Sequence, residues 1–166
     1  SGTANYITKW TDSDTIGDSI IQDNGTDITI VSSTASKPTL RLENTNADNT
    51  SSFLDFVKTS ASAADNDTLG SMRFRGKTST GTEATFVDIY CQSKDVTNTT
   101  KDGSFILSTQ ADNTLTTTLA AVSGGVGIGT AAPNPNYKLH VYDTRTATAA
   151  GLRVQGSVTY ADGAEY

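Results

Sequence analysis

Thr85-Phe-Val-Asp-Ile-Tyr-Cys91 is the stretch on which the fold class turns. Val87, Ile89 and Cys91 fall on one side and Phe86, Asp88 and Tyr90 on the other, a period of two that marks an extended strand with two distinct faces. The same pattern recurs outward in both directions. Toward the C-terminus, Phe105-Ile-Leu107 follows the turn residues Lys101-Asp-Gly103, a further strand runs from Leu115 to Leu119, and Tyr137-Lys-Leu-His-Val-Tyr142 and Leu152-Arg-Val154 complete the set. Toward the N-terminus, Ser71-Met-Arg-Phe-Arg75 turns Met72 and Phe74 inward and both arginines outward. Before it come a polar loop over 61–67, an apolar strand carrying Phe53, Leu54, Phe56 and Val57, and Thr39-Leu-Arg-Leu-Glu43 after Pro38. Asp27-Ile-Thr-Ile-Val31 follows Asp23-Asn-Gly-Thr26, where Asn-Gly supplies positive φ for a turn. Short strands at intervals of roughly a dozen residues predict an all-β fold, a sandwich, a barrel or a β-solenoid.

Composition sets the difficulty this fold must solve. The chain has 166 residues, enough for one domain, yet Leu, Ile, Val and Phe make up only about 19% of them and Ser plus Thr about 28%. Material for a core is scarce. Net charge is −6 with 18% charged residues, too little charge for the usual disordered class, and Thr-rich usage favours β-structure. A pI near 4.5 with scattered Lys and Arg argues against nucleic acid and anionic membranes as partners. No apolar run approaches the roughly 18 residues of a membrane helix, and no stretch resembles a signal peptide. The lone Cys91 makes no internal disulfide, so the thin core must be compensated in another way.

The segment 123–136 points to that compensation. Gly125, Gly127 and Gly129 alternate with Val126 and Ile128, which strips one strand face of side chains and invites close backbone approach. Three chains meeting about an axis would use such a face. Val126, Ile128, Leu139 and Val141 are then the expected trimer core, because association buries apolar surface that a single chain leaves open.

Two stretches carry a resemblance. Gly2-Thr-Ala-Asn-Tyr-Ile-Thr-Lys-Trp10, followed by Ile16-Gly-Asp-Ser-Ile20 and Asp23-Asn-Gly-Thr26, resembles the opening segment of many distal domains of phage tail fibres and tailspikes. Gly125-Val-Gly-Ile-Gly-Thr-Ala-Ala-Pro133 with Tyr137-Lys-Leu-His-Val141 is similar to a VGIGT-x-x-P and K-L-x-V element of the same fibres, lengthened here by Asn134-Pro-Asn136. The middle, with Gly70-Ser-Met-Arg-Phe-Arg-Gly76, Thr80-Gly-Thr82 and Asp102-Gly-Ser-Phe-Ile106, looks loosely like the β-rich middle of such proteins. Tyr160-Ala-Asp-Gly-Ala-Glu-Tyr166 resembles the lead-in to a self-cleaving C-terminal chaperone domain, so the chain is expected to stop where that module begins, as a fragment or as a matured product.

Candidate chemistry is sparse. His140 is the only histidine, lies in an alternating strand, and has no Gly-x-Ser-x-Gly elbow beside it. Gly76-Lys-Thr78 lacks the first glycine of a phosphate loop, position 71 being Ser, and the Gly125-x-Gly-x-Gly129 spacing is wrong for a dinucleotide fingerprint. Asp12/Asp14, Asp23/Asp27 and Asp65/Asp67 offer oxygen ligands but not the spacing of a calcium loop, and turn chemistry explains them. Glu83, Asp88 and Asp55 flank strands without forming the spaced pair that glycan cleavage needs. The strip Phe86, Asp88 and Tyr90 is the candidate ligand face, since aromatic rings stack on sugars and polar neighbours bond their hydroxyls. The alternative is that Phe86 and Tyr90 pack against a second sheet.

Together these readings predict β-sandwich or β-solenoid-like strands in an intertwined homotrimeric fibre segment. Residues 1–31 form an N-terminal extended β-segment, 32–123 a β-rich central domain, and 124–166 a Gly-rich segment leading to a missing chaperone. The resemblance implies a non-enzymatic structural and receptor-binding part of a virion tail, extracellular, with no cofactor and no metal. Its partners are further copies of itself and a host-cell glycan or protein, without nucleic acid or membrane insertion. Alternatives are a polysaccharide-degrading tailspike fragment and a bacterial surface filament or adhesin.

Overall fold

The computed structural model describes residues 2–142, and the expected strand at 152–154 and the terminal 160–166 lie outside them. Among the described residues the fold is all-β, with nine strands in two sheets and no helix. The chain divides into two compact units, Ser1–Leu54 and Asp55–Tyr166.

The first unit holds a three-stranded antiparallel sheet, β1 (Tyr6–Trp10), β2 (Ile16–Asp23) and β3 (Ile28–Ile30), in that order. Its turns are built by short side chains that replace missing backbone partners. Asp12 Oδ1 accepts from the N–H groups of Asp14 and Thr15 at 3.1 and 2.7 Å, and Asn24 Oδ1 accepts from those of Thr26 and Asp27 at 2.9 and 2.7 Å. Gly25 sits at φ 87°, the left-handed conformation that the Asn-Gly pair was expected to supply. No described residue of this unit is buried.

The second unit is a meander of six strands. These are β4 (Asp67–Lys77), β5 (Glu83–Asp95), β6 (Asp102–Ala111), β7 (Thr114–Val122), β8 (Gly125–Ile128) and β9 (Leu139–Val141), neighbours in chain order being neighbours in the sheet. All pairs are antiparallel except β8 with β9. Two hairpins close with two-residue turns, Asp112-Asn113 at φ 46° and 63° and Ser123-Gly124 at φ 46° and 84°. Positive φ at both positions gives the turn whose twist matches the strands it joins. The tightest burial is on the row Ile106, Ala120 and Gly127, with Ile106 3% and Ala120 0% exposed.

Three expectations are corrected. Thr39–Glu43 and Phe53–Val57 form no ladder, and every side chain from 33 to 66 is exposed, because alternation specifies faces while a ladder also requires a partner strand. The strands β4 to β7 run nine to thirteen residues, longer than expected, because Ser and Thr stretches such as Ser108-Thr109-Gln110 continue the pairing. The turn assigned to Lys101–Gly103 lies earlier: β6 begins at Asp102, and Asp95 holds the preceding loop through Thr97 N–H at 2.7 Å and the Thr100 hydroxyl at 2.9 Å.

The parallel β8–β9 pair depends on the connection between them, which folds back over Gly127. The Thr130 carbonyl oxygen lies 2.6 Å from where a Cβ on Gly127 would sit, and Pro133 Cβ lies 3.5 Å from it. Substituting Gly127→Val is therefore expected to lower stability by about 3 kcal/mol or more, the upper range of overpacking, because backbone has to move. Chemical denaturation reads this loss directly; an unchanged midpoint would mean that the connection is free to lift away.

Candidate functional site

Register across the six-stranded sheet sorts its side chains into two unlike faces. One face carries the row Met72, Ile89, Leu107, Leu119, Ile128 and Val141, and beside it the row Gly70, Cys91, Phe105, Ala121, Val126 and Leu139. Both rows are apolar from edge to edge of the sheet. They are also open: Met72 is 44%, Phe105 42% and Leu139 51% exposed. Two bulges enrich this face further. The register steps between Thr68 and Gly70 and again between Phe74 and Arg75, leaving Leu69 and Phe86 as the extra residues. Leu69 borders a groove of about 280 Å³ with Phe56, Met72, Cys91 and Phe105. Phe86 lies over Gly76, its Cε2 3.3 Å from a Cβ position there. At one edge Phe56 seats on Gly70 so closely that a Cβ there would meet Phe56 Cβ at 2.6 Å.

The residues expected at a shared core, Val126, Ile128, Leu139 and Val141, all sit on this face, paired as Val126–Leu139 and Ile128–Val141. Gly125 and Gly127 point to the opposite face, where the chain's own backbone approaches: Tyr137 O stands 3.3 Å from a Cβ position at Gly125. Gly129 adopts φ 75° against the Tyr142 carbonyl. His140 shares the face of Gly127 and accepts the Asn134 N–H at Nδ1, 3.1 Å away, while its ring meets Tyr142 edge-on at 5.9 Å. The Asn134-Pro-Asn136 insertion is thus a hydrogen-bonded turn, with Asn134 Oδ1 accepting the Asn136 N–H at 3.0 Å.

The candidate ligand strip is brought together in part. Asp88 and Tyr90 share the face opposite the apolar rows, paired with Arg73 and Ser71 on β4. Phe86 does not join them, because the bulge turns its ring toward Gly76. In its place the cleft around Asp88 and Tyr90 takes in Thr68, Ser71, Arg73 and Gln92. These neighbours come from strand register, which single-strand alternation does not reveal. The signal within reach was the outward Arg73 opposite an outward Asp88.

The acidic pairs hold turns and tie loops to one another. Asp23 Oδ1 accepts the Gly25 N–H at 2.8 Å, and Asp65 Oδ1 the Val96 N–H at 3.0 Å. Asp67 anchors the segment that carries Phe56: Lys58 Nζ lies 2.8 Å from Oδ1, and the Ala64 N–H donates to Oδ2 at 3.2 Å. Those two bonds, the lysine first, hold the Asp67 carboxyl below its ordinary value. The Thr97 N–H foremost, then the Thr97 and Thr100 side chains, do the same to Asp95.

No protein-family model matches the chain, and no curated protein matches it in sequence. Among the described residues no helix is long and apolar enough to cross a membrane.

A carboxyl whose pKa is lowered by folding stabilises the fold above its unfolded value, about 3.9, and loses that contribution as pH falls through the lower folded value. The protein is accordingly expected to lose stability as pH drops below about 4. Asp67→Asn should lower the melting temperature at neutral pH and flatten this acid slope. Identical slopes for the two proteins would mean that Lys58 and Ala64 do not hold the carboxylate in solution.

Proposed function

We propose that this chain is a β-rich segment of a homotrimeric phage tail fibre or tailspike, a rigid extracellular part of the virion tail that presents a surface to a host-cell glycan or protein. The observation that carries the reading is the pair of apolar rows crossing the second sheet, open to water in a single chain. A contiguous apolar patch of this extent marks an association surface. Leu40, Leu42, Phe53 and Leu54 add to the demand, being exposed on a segment whose alternation suits strands but which has no ladder partner among the described residues. Neighbouring chains that supply those partners would give the intertwined sandwich-like or solenoid-like packing expected from the sequence, and would complete a core that one chain builds from few residues. The resemblance of the 2–26 and 125–141 stretches to tail-fibre elements supports the same assignment.

In this reading the mechanism is adhesive and involves no turnover, cofactor or metal. Three copies bind a repeated surface structure at once, so weak single sites suffice. Nucleic acid and membrane insertion play no part.

Sedimentation equilibrium at micromolar concentration is expected to give three times the 17.4 kDa chain mass. Phe105→Asp should release folded monomers, because the residue is half open in one chain while a carboxylate inside a closed interface costs several kcal/mol. A folded wild-type monomer would overturn the reading. Capsule or lipopolysaccharide incubated with the trimer should keep its length; shortening that vanishes when one Asp or Glu is changed to Ala would replace adhesion by depolymerisation.

A further inference from the structure

The segment 39–54 joins neither sheet, yet its own bonds fold it into a hairpin. The Ser52 hydroxyl donates to the Leu42 carbonyl at 3.1 Å and the Asn44 amide to the Thr50 carbonyl at 3.4 Å. Between them Asn44 Oδ1 accepts the Asn46 N–H and Asp48 Oδ1 the Thr50 N–H, both at 2.9 Å. The pairs 42–52 and 44–50 set one antiparallel register, which continues to 40–54. Directly opposed residues share a face, so Leu40, Leu42 and Leu54 fall on one side of the hairpin, while Arg41 and Glu43, joined as an ion pair, fall on the other. All three leucines are exposed, Leu40 at 67%.

We infer that the Leu40, Leu42 and Leu54 side of this hairpin lies on the apolar rows of a neighbouring copy, against Cys91 and Phe105, each copy giving one hairpin and receiving another. Size and chemistry both fit. The rows cross five strand gaps, about 24 Å, and lie about 7 Å apart, so two arms about 4.8 Å apart, each reaching about 17 Å, cover both rows along most of their length. Neither row holds a charged side chain, so the cover must be uncharged on the side that faces them. The leucine side of the hairpin meets that condition and the Arg41 side does not. The face already takes an apolar side chain from the residues just past the hairpin: Phe56 seats on Gly70 at the β4 edge and borders the groove lined by Leu69, Met72, Cys91 and Phe105. Each chain has one such hairpin and one such face, so three copies exchanging in a closed ring leave neither open. The inference rests on the association proposed above and names the segment that performs it.

Cross-linking tests it on the full chain, whose only thiol is Cys91. Leu42→Cys and, separately, Leu54→Cys are treated with a short bis-maleimide and run on a denaturing gel, with sedimentation of untreated samples in parallel. Wild type has one thiol per chain and so yields dimers at most. Either variant is expected to yield covalent trimers, and their digestion to yield peptides joined between position 42 or 54 and Cys91; if one variant fails to fold, the other decides. Leu42→Asp should also speed the labelling of Cys91 by a small aromatic disulfide at least tenfold, whereas Arg41→Asp, on the far side, should leave the rate unchanged. Sedimentation as trimers with no such joined peptides between chains, or a Cys91 rate unmoved by Leu42→Asp, would overturn the exchange and leave the trimeric fibre standing. Sedimentation as dimers with the same joined peptides would overturn the trimer and keep the exchange.

Discussion

Two rows of apolar side chains, each running unbroken across six strands, are the constraint on which the rest of this structure depends. A sheet face of this kind is unfavourable in water, and its free energy scales with the area left open. The second unit spends its own packing on the other face. There Ile106, Ala120 and Gly127 are buried, and the β8–β9 connection lies over Gly127. The outcome is a sheet whose small and mixed face is covered by its own chain at Gly125 and Gly127 while its apolar face is left for something else. Scarcity of large apolar residues makes this division possible, since one face takes most of them.

The local devices follow from that division. Glycine at 125 and 127 allows a connecting backbone to settle on the mixed face, while Val126 and Ile128 supply the open apolar one. The bulges at Leu69 and Phe86 act in the same direction, adding an apolar side chain to the open face at two points on the β4–β5 pair. Phe56, tethered through Lys58 and Asp67, borders the open groove at its edge. The Asp88 cleft lies on the side away from these rows.

Much of this was legible in the sequence. Val87, Ile89 and Cys91 alternate as they stand in β5, and Asn24-Gly25 sits at a turn with the expected positive φ. What escaped has physical causes. Strand ends rich in Ser and Thr look like loops, because hydroxyl side chains neither reveal nor forbid a ladder. Leu40-Arg-Leu42 and Phe53–Val57 look like strands, because periodicity registers two faces whether or not a neighbour exists to pair with. A bulge has no sequence mark here, so Phe86 was grouped with Asp88 and Tyr90, and Arg73, the residue that stands beside Asp88, was missed as part of the site.

The central claim is that the open apolar face is covered in the native protein. Cys91 reports on it directly, being the only cysteine of the chain and exposed within one of the two rows. The rate at which a small aromatic disulfide labels this thiol under native conditions is the measurement to make, against the rate in denaturant. The account predicts strong protection in the native state, relieved together with assembly in Phe105→Asp. Native labelling as fast as that of the unfolded chain would contradict it.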